Sequence, residues 1–471
     1  MADKFLHGIE NVTVDDGSRP IMTVRSSTIG LIGTAPLADE TAFPLNTPVL
    51  IAGSRLEAAK LGTTGTLPDA IDSIFDQIGA VVVVVRVEQG LTDTETLANI
   101  LGGVDAVTGQ YEGVHAFLAA ENMLGFVPKI LLAPGFTQAR TSGGVLTAGV
   151  TAGGTGYTDG TYNLTVTGAG TGAVITATVV GGIVTSTAIV NPGSGYAVAP
   201  TLALPAGAGS GTGATFSVTV GTVGNAVVAE MIGIAERLKS VIIADGPNTN
   251  DADAIAYSGD FGSKRVFLVD PKALKIDGTG AIATSWASAH VAGLIAKSDN
   301  DRGWWWSPSN QEINGIVGTA RAIDFQMGDA NCRANLLNEK KVTTIIRQNG
   351  YRLWGNRTLS SDPKWQFLCV VRTADMIDES LKAAHLWAVD RGITKNYVND
   401  VVEGVNEYLR YLKNIGAILG GQCWADPELN SALVIKSGKV YFDFDFTPVY
   451  PAEHIIFRSH LVDDYIKDIF A

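Results

Sequence analysis

Cysteine is scarce in this sequence, and its three cysteines, Cys332, Cys369 and Cys423, lie far apart along the 471 residues. None belongs to a Cys-x-x-Cys pair, which excludes the spacing of the common zinc and redox motifs. A disulfide framework is not expected either, because such frameworks are a feature of short secreted chains with several paired cysteines. We therefore predict no metal ion and no other cofactor, and cysteines that behave as small buried apolar side chains.

Long apolar runs are missing as well. The longest, Ala80–Val85, is far too short to span a bilayer, which takes about 20 residues. The N-terminus has no positive segment followed by an apolar one, so neither a signal peptide nor membrane insertion is expected. With 34 Lys and Arg against 47 Asp and Glu, the formal net charge is −13. Since binding to phosphates needs clustered cations, nucleic acid is not an expected partner.

The usual catalytic and nucleotide-binding motifs are also missing. The chain has no GxxxxGK[ST], HExxH or GxSxG sequence. Gly168–Gly172 is rich in glycine but precedes a predicted strand rather than a helix, which favours a glycine-rich turn. His454 and His460 are close in sequence, and Asp443 and Asp445 share a strand face. Solvation explains both pairs more simply than a metal or acid–base site, so the sequence predicts no catalytic residue.

Two stretches of alternating strands and helices are present, in residues 21–140 and 226–345. In the first, the helical pattern Leu67–Ile78 leads into Val81–Val87, a β-branched run typical of a strand covered on both faces. The second stretch begins with a helical pattern at Val227–Leu238. Strands that alternate with helices predict βαβ units and a mainly parallel sheet. We interpret the two stretches as one discontinuous middle α/β domain.

Residues 141–225, between these halves, carry almost no charge, and Asp159 is their only charged side chain. Gly, Thr, Val and Ala dominate, and Gly154–Tyr157 is nearly repeated at Gly193–Tyr196. Each half then alternates as a strand does, so we predict a small inserted all-β domain. Insertions persist where they disturb neither core nor interface, which places this domain on the outer surface of any assembly.

The composition changes again in residues 346–455, which we interpret as a compact C-terminal α+β domain. Apolar residues at helical spacing predict amphipathic helices over Asp375–Val389 and Tyr397–Ile418. Lys439–Phe446 alternates strictly between apolar and polar residues, as a half-buried strand does. Ile455–Phe457 is predicted to be one more strand.

Both ends of the chain are predicted to be extended arms, residues 1–20 and residues 456–471. In the first arm, Ile9, Val12 and Val14 are compatible with a strand that has no local partner. From the residues alone, the arm is either a frayed end or a strand that adds to a neighbour's sheet edge.

Four of the eight tryptophans lie between Gly303 and Arg357, amid Gly, Asn and Arg. Large rings are costly to expose, and a buried indole N–H needs a partner. We therefore predict a packed structural junction, with an aromatic ligand pocket as the alternative. The residues of this junction are Trp304, Trp305, Trp306, Asn310, Tyr351, Trp354 and Arg357.

Spaced motifs occur along the whole chain except about residues 141–225. They are Trp305–Gln311, Ile313–Gly318, Ala334–Asn338, Gly350–Arg357, Phe446–Pro448, Pro451–Ile455, His7–Glu10 and Gly17–Ile21. In these motifs the sequence resembles the tail sheath proteins of contractile-tailed bacteriophages, in particular the P2-like and R-type-pyocin-like sheaths.

This resemblance implies a structural virion protein of the phage tail, assembled in the host cytoplasm, and not an enzyme. It implies stacked hexameric rings around an inner tail tube, which contract from a metastable extended state and drive the tube through the host envelope. The implied partners are further copies of the chain, the tail tube protein, and the baseplate and tail terminator proteins. The C-terminal domain is expected on the inside and the middle domain outside.

The resemblance also implies that terminal arms link the subunits by exchanging strands. The residues then expected to contact a neighbouring subunit are Phe5, Ile9, Val12, Val14, Ile455, Ile456 and Phe457. Lys395, Arg410 and Lys413, on the second amphipathic helix, are candidates to face an acidic tube. A solvated helix face explains these three cations equally well.

Two other functions stay open from the residues alone. A mainly parallel sheet is also found in nucleotide-dependent α/β enzymes, although a fold does not establish a function and the site motifs are missing. The Gly- and Tyr-rich insert is also compatible with a protein that binds surfaces or glycans.

Overall fold

The computed structural model describes residues 21–463 and residue 465. Phe5, Ile9, Val12 and Val14 therefore lie outside the described residues. The elements before residue 140 are β1 (Ile29–Thr34), β2 (Pro48–Ala52), α1 (Arg55–Ala58), α2 (Leu67–Phe75), β3 (Val81–Val87), α3 (Asp93–Leu101), β4 (Gly103–Val104), β5 (Tyr111–Glu112), α4 (Ala120–Leu124) and β6 (Ile130–Leu132). Local sequence sets several of their ends. At the start of α3, for example, the Thr92 hydroxyl and the Glu95 carboxylate each accept a hydrogen bond from the other residue's N–H.

The uncharged segment forms strands throughout, joined by turns. They are β7 (Thr141–Thr155), β8 (Gly160–Asn163), β9 (Thr165–Thr167), β10 (Thr171–Val180), β11 (Ile183–Ser194), β12 (Thr201–Ala203) and β13 (Thr212–Val223). These strands pair with one another and enclose a small apolar core of their own.

Alternating helices and strands then resume, as the sequence predicts. They are α5 (Ala226–Leu238), β14 (Val241–Asp245), α6 (Asp251–Ser258), β15 (Val266–Val269), β16 (Ala273–Ile276), β17 (Ile282–Ser285), α7 (Ala287–Arg302), β18 (Gly318–Thr319), α8 (Arg333–Glu339), β19 (Val342–Arg347) and β20 (Tyr351–Trp354). The C-terminal part consists of α9 (Leu368–Ala384), α10 (Lys395–Asn414), β21 (Ile418–Ala425), α11 (Ala432–Lys436) and β22 (Phe442–Pro448).

The central sheet has eight strands among the described residues, in the order β2-β3-β1-β6-β14-β15-β19-β20. The six inner strands are parallel, and the edge strands β2 and β20 run antiparallel to their neighbours. Val82 and Val84 on β3 enter the apolar core on one face of the sheet, and Val83 and Val85 enter the core on the other. This burial on both faces accounts for the continuous β-branched run in the sequence.

The sheet extends beyond residue 345, so the predicted domain boundary at residue 346 cuts through a hairpin. Arg347 pairs with Tyr351 across a tight turn at Asn349 and Gly350, whose φ angles of 50° and 101° are both positive. Asn-Gly between two apolar runs is a strong hairpin signal that the sequence interpretation missed.

The start of the described chain does not lie with the central sheet, although residue 21 was predicted to open the middle domain. Ile21 and Val24 pack against the apolar core of the C-terminal part. The Thr23 and Tyr408 hydroxyls are 3.1 Å apart, and the Val24 N–H donates to the Ser380 hydroxyl at 3.2 Å. The sequence contains few apolar residues here, and their packing depends on helices more than 350 residues away.

Two further sequence predictions need correction. The first amphipathic helix begins at Leu368, because its apolar face continues N-terminally into the core of the central sheet through Leu368 and Val371. Ile455–Phe457 forms no strand within the described residues, since no neighbouring backbone is there to pair with it.

The insert's internal repeat is visible in its pairing. Within β10 and β11, Thr171 lies opposite Ser194, and Thr212 of β13 lies opposite Thr155 of β7 in the equivalent register. A Cβ atom at Gly211 would come within 2.4 Å of the Tyr157 ring, and one at Gly170 within 2.5 Å of the Tyr196 ring. Each repeat therefore packs its tyrosine on a glycine of the other repeat, which explains why both glycines are needed.

Asp245, the last residue of β14, is a fully buried carboxylate. It accepts hydrogen bonds from the Ser288 N–H at 2.8 Å and the Ser288 hydroxyl at 2.6 Å, in the first turn of α7. Desolvation disfavours the charged form and raises the pKa of Asp245 to about 6, although both Ser288 groups lower it.

This raised pKa predicts a pH-dependent contribution to stability. Between the unfolded-state pKa and about pH 6, Asp245 holds a proton in the folded state that it releases in the unfolded chain. Protonation therefore stabilises the folded state. This contribution is complete below the unfolded-state pKa and is lost as the pH rises through about 6. We expect the unfolding free energy of the wild type, minus that of Asp245→Asn, to fall by about 2 to 3 kcal/mol between about pH 4 and pH 7. Urea unfolding at the two pH values measures it. A difference that stays constant with pH would contradict this assignment.

Candidate assembly surfaces

The predicted tryptophan junction is divided between several places in the structure. Trp304 is buried in the C-terminal core with Met376 and Tyr408. Trp305 packs edge-on against Trp304, with ring centroids 5.2 Å apart. Trp306 is 51% exposed, and the Arg302 guanidinium lies 5.9 Å from its ring centroid.

Of the other junction residues, Tyr351 and Trp354 lie in β20, Asn310 lies beside it, and Arg357 follows it. The Asn310 N–H donates to the Leu353 carbonyl at 2.7 Å, and the Tyr351 carbonyl accepts from the Ile313 N–H at 2.8 Å. These bonds cover the outer edge of the central sheet with a loop, which protects an edge strand from other chains. Trp354 stacks edge-on with Phe325 at 4.8 Å in a separate small apolar cluster.

The C-terminal part contains a two-stranded sheet formed by β21 and β22. Cys423 lies opposite Phe444, and Gly421 lies opposite Phe446. One face of this hairpin packs on α10 and α9 through Cys423 and three partly buried phenylalanines, Phe442, Phe444 and Phe446. Among the described residues, no further strand pairs with either edge of this sheet. A sheet edge that no strand covers is a ready template for an additional strand.

Pro448 ends the hairpin, and the segment that follows lies on the surface without secondary structure. Arg357 holds its start through two bonds to the Glu453 carboxylate, from Nε at 2.8 Å and from Nη2 at 2.5 Å. The Tyr450 ring contacts Phe367, with centroids 6.3 Å apart. Beyond these anchors, Ile455, Ile456 and Phe457 are 66%, 71% and 92% exposed. These three predicted contact residues therefore lack apolar burial within their own subunit.

Ion pairs join α9 to the ends of the sheet strands and to α7. The pairs are Arg372–Asp299, Asp375–Arg265, Asp378–Lys239 and Glu379–Lys129. The side chains of Arg372 and Asp299 are both buried, and the guanidinium donates two bonds to the carboxylate, at 2.7 and 2.5 Å. The same helix contributes Met376 and Ile377 to the C-terminal core, so it fixes the hairpin relative to the central sheet.

The three candidate tube-facing cations, Lys395, Arg410 and Lys413, are all exposed on α10. The exposed residues of this helix also include the carboxylates Asp400, Glu403 and Glu407. The exposed surface of α10 is therefore of mixed charge.

The loop between β21 and β22 exposes large apolar side chains that the sequence interpretation did not single out. They are Leu429, Leu433, Ile435 and Tyr441.

A cleft of about 780 Å³ opens at the carboxyl ends of the parallel strands, under the insert. Enzymes with open α/β sheets bind ligands at this position. Here the guanidinium of Arg140, in the lining, donates two hydrogen bonds to the Asp260 carboxylate, at 2.7 and 2.6 Å.

Among the described residues, no group of His, Cys, Asp and Glu is arranged to hold a metal ion. Nor does the described part of the chain contain a helix long and apolar enough to cross a membrane.

Family models of phage tail sheath proteins match three consecutive parts of the chain. Residues 26–87 match the tail sheath protein Gp18 domain III N-terminal region, residues 217–359 the phage tail sheath protein central domain, and residues 360–461 the phage tail sheath C-terminal domain. The first match ends at residue 87 and the central-domain match begins at residue 217, within β13, so residues 141–216 of the insert lie outside these family domains.

Curated relatives align over nearly the whole chain. One, described as a prophage major tail sheath protein of Pseudomonas aeruginosa strain UCBPP-PA14, is 37% identical over 99% of this chain and 98% of its own length. The tail sheath protein of Escherichia phage P2 is 31% identical over the same shares.

Solved structures of contractile sheaths share the fold. A sheath complex of the PVC extracellular contractile injection system in its contracted state has a TM-score of 0.59 at 13% identity, covering 99% of this chain and all of that chain. The contracted helical sheath of the anti-feeding prophage has a TM-score of 0.58 at 17% identity, covering 98% and 100%. With relatives of this identity and coverage, the chain belongs to the phage tail sheath protein family and is a structural component of a phage tail, not an enzyme.

Proposed function

We propose that this subunit polymerises with further copies of itself into stacked hexameric rings around a tail tube. Contraction from a metastable extended state then drives the tube through the host envelope. The observation that carries the proposal is the combination, in one subunit, of an open-edged hairpin and an exposed apolar terminal segment. The hairpin offers a sheet edge, and the terminal segment offers a strand that can pair with such an edge in another subunit.

The position of both chain ends supports strand exchange between subunits. Residues 1–20 precede Ile21, which packs on the same C-terminal core as the hairpin. The C-terminal segment leaves this core directly after β22. Arms that start beside the hairpin can hinge while the main-chain ladder stays intact, which lets subunits rotate without losing their links.

Contraction needs an energy source other than a chemical reaction, because the proteins of this family are structural components and not enzymes. We place that energy in subunit surfaces that bury more area in the contracted state than in the extended one. The ion pairs along α9 keep each subunit rigid during this movement, so the displacement is concentrated in the arms.

The proposed inner surface is the C-terminal part, with Lys395, Arg410 and Lys413 and the apolar hairpin loop near the tail tube protein. Other proposed partners are the baseplate and the tail terminator protein. One related solved structure is a baseplate of the anti-feeding prophage with sixfold symmetry, which supports a ring of six. The insert lies on the outside in this arrangement, and subunits assemble in the host cytoplasm.

Negative-stain electron microscopy of the purified protein tests the proposal. Striated cylinders of constant diameter support a sheath subunit. Compact particles that never form cylinders, at any protein or salt concentration, would contradict it.

The Arg357–Glu453 anchor gives a sharper prediction. We expect Arg357→Ala to raise the critical concentration for assembly several-fold, because the segment after Glu453 then leaves the surface in many directions. The unfolding free energy of the subunit should change by no more than about 1 kcal/mol, as the pair is partly exposed. Sedimentation of polymers over a concentration series measures the first quantity, and urea unfolding the second.

The reversed pair, Arg357→Glu with Glu453→Arg, is the matched control and should restore assembly. An unchanged critical concentration in the single variant would show that the anchor does not direct the segment.

A further inference from the structure

The cleft under the insert lies where the order of strands in the central sheet reverses. From β1 the chain passes through α2 to β3 on one side, and from β6 it passes through α5 to β14 on the other side. The apolar residues of α2 pack on one face of the sheet, and those of α5 pack on the opposite face. The loops that leave β1 and β6 therefore diverge and open a crevice, which is where proteins with open α/β sheets bind ligands.

Both the central sheet and the insert contribute walls to this cleft. Thr34, which ends β1, and Phe136, which follows β6, line it from the sheet, and Ser142 and Ser194 line it from the insert. The Gly195 N–H donates to the Ser142 carbonyl at 3.1 Å, which holds the two insert strands together at this wall. The volume of about 780 Å³ lies within the range of about 300 to 1,000 Å³ of small-molecule sites, which often form between domains.

The side chains that line the cleft are mostly neutral hydrogen-bonding groups, namely the hydroxyls and amides of Thr, Ser, Gln and Asn. Gln138 donates from Nε2 to the Gly135 carbonyl at 2.9 Å, but its Oε1 is buried and has no hydrogen-bond partner among the described residues. Leaving a buried acceptor unpaired costs free energy, so this oxygen favours a ligand that brings a donor. Phe136 and Trp286, both partly buried, add aromatic rings to the lining.

A phosphate-bearing ligand does not match this lining. Arg140, the one cation among the described lining residues, is already paired with Asp260. Helices α3 and α5 begin at the cleft, and the N-terminus of a helix attracts anions. However, the carboxylates of Asp93 and Glu95 lie in the first turn of α3, and the Asn225 side chain already accepts a backbone N–H at the start of α5. An anion would therefore meet negative charge and few free donors.

A neutral saccharide matches the lining on both counts. Each sugar hydroxyl donates and accepts hydrogen bonds, so it can pair with Oε1 of Gln138 and with the hydroxyl side chains around it. The C–H groups of a sugar ring form an apolar face that packs on aromatic rings such as those of Phe136 and Trp286.

We propose that the cleft binds a short neutral saccharide, held between the insert and the carboxyl ends of β1 and β6. This site is separate from the outer surface of the insert. It also does not depend on how the subunits are linked to one another.

Saturation-transfer difference NMR with the full-length protein tests the proposal. The probes are maltotriose, cellotriose and tri-N-acetylchitotriose, with ADP as an anionic comparison, each at about 5 mM, which detects dissociation constants up to the millimolar range. We expect at least one trisaccharide to receive magnetisation from the protein, and ADP to stay at background. Binding of ADP in preference to all three trisaccharides would overturn the proposal, and so would the absence of binding by every trisaccharide.

Thr64→Trp shows whether the saccharide lies in the cleft. Thr64 is exposed and lines the cleft, so a tryptophan there fills part of the space without removing a core contact. We expect the affinity for the saccharide to fall at least about tenfold. Thr63→Trp, at an exposed neighbour outside the lining, is the matched control and should bind as the parent protein does. Equal affinities of the two variants would place the saccharide elsewhere and overturn the assignment.

Gln138→Ala tests the unpaired acceptor. Losing its hydrogen bond to the ligand should weaken binding by about three- to tenfold, and thermal unfolding shows whether the variant keeps its fold. Gln89→Ala removes an exposed amide from the same lining and should weaken binding without touching buried contacts. Gln110→Ala, at an exposed glutamine outside the lining, is the control. Affinities unchanged in both cleft variants would contradict a site built from these amides.

Discussion

Removing residues 454–471 is expected to abolish polymerisation while leaving the subunit folded. The side chains of Ile455, Ile456 and Phe457 contribute almost no buried apolar area to their own subunit. Their loss should therefore change the unfolding free energy by about 0.5 kcal/mol at most, as for other exposed positions. In the polymer, the same residues would supply a complete strand with its main-chain hydrogen bonds, so we expect assembly to fall to background.

Sedimentation velocity with electron microscopy measures the loss of assembly, and thermal unfolding of the subunit checks the fold. Removing residues 1–20 should have the same effect, since that arm is proposed to pair with another neighbour.

A suitable control removes a larger segment elsewhere, namely the insert. Thr141 lies opposite Val223 at the root of the insert, so a short turn can replace the residues between them. If the insert is external, that variant should still form cylinders. Polymers from either arm deletion would contradict linkage by that arm.

The second large effect is expected in the subunit core, where Arg372→Ala should destabilise the fold by about 3 to 5 kcal/mol. Asp299 would remain buried with its charge, and the Ser27 hydroxyl at 2.9 Å would be one of few remaining donors to it. Arg372 also donates to the Ser26 carbonyl at 3.1 Å, which ties the root of the N-terminal arm to α9. We therefore expect lower stability and weaker assembly together.

Urea unfolding measures this change. The comparison variant is Arg55→Ala, whose ion pairs with Asp72 and Asp76 are largely exposed, and which should cost less than about 1 kcal/mol. Replacing both buried partners by apolar side chains, as in Arg372→Met with Asp299→Leu, should recover much of the lost stability, because no charge is left unpaired. Equal losses for Arg372→Ala and Arg55→Ala would show that burial does not determine the strength of these pairs.

The sequence was sufficient to predict elements whose pattern is local. Val81–Val87 is the β-branched centre of the sheet, and the uncharged segment after residue 140 is a separately paired set of strands. Ser54 caps α1, because its hydroxyl accepts a hydrogen bond from the Glu57 N–H at 3.2 Å. These features follow from the hydrophobic period, the helix caps and the turn residues, each of which is set by residues close together in the sequence.

Features that depend on distant contacts were not predictable in this way. The tryptophans near residue 305 are adjacent in sequence, yet Trp304 enters the C-terminal core and Trp306 is half exposed. Asn406 has no special sequence context, yet its side-chain amide bonds both the N–H and the carbonyl of Cys423, because α10 brings it to that backbone.

Most of the insert, residues 141–216, lies outside the family domains, which agrees with its separate core. Its surface presents hydroxyl groups and little charge. Thr147 and Thr219 are an example, with hydroxyl oxygens 2.6 Å apart. Binding of surfaces or glycans by this insert remains a prediction from its composition alone.

We propose that copies of this chain are held together by strands that extend from one subunit and pair with the sheet of another. Electron cryomicroscopy of the assembled cylinders, at a resolution that traces the backbone, tests it most directly. We expect the chain after Pro448 to cross to a neighbouring copy and to lie beside a β21–β22 hairpin there. A chain whose two ends both fold back onto their own subunit, with every hairpin left two-stranded, would contradict it.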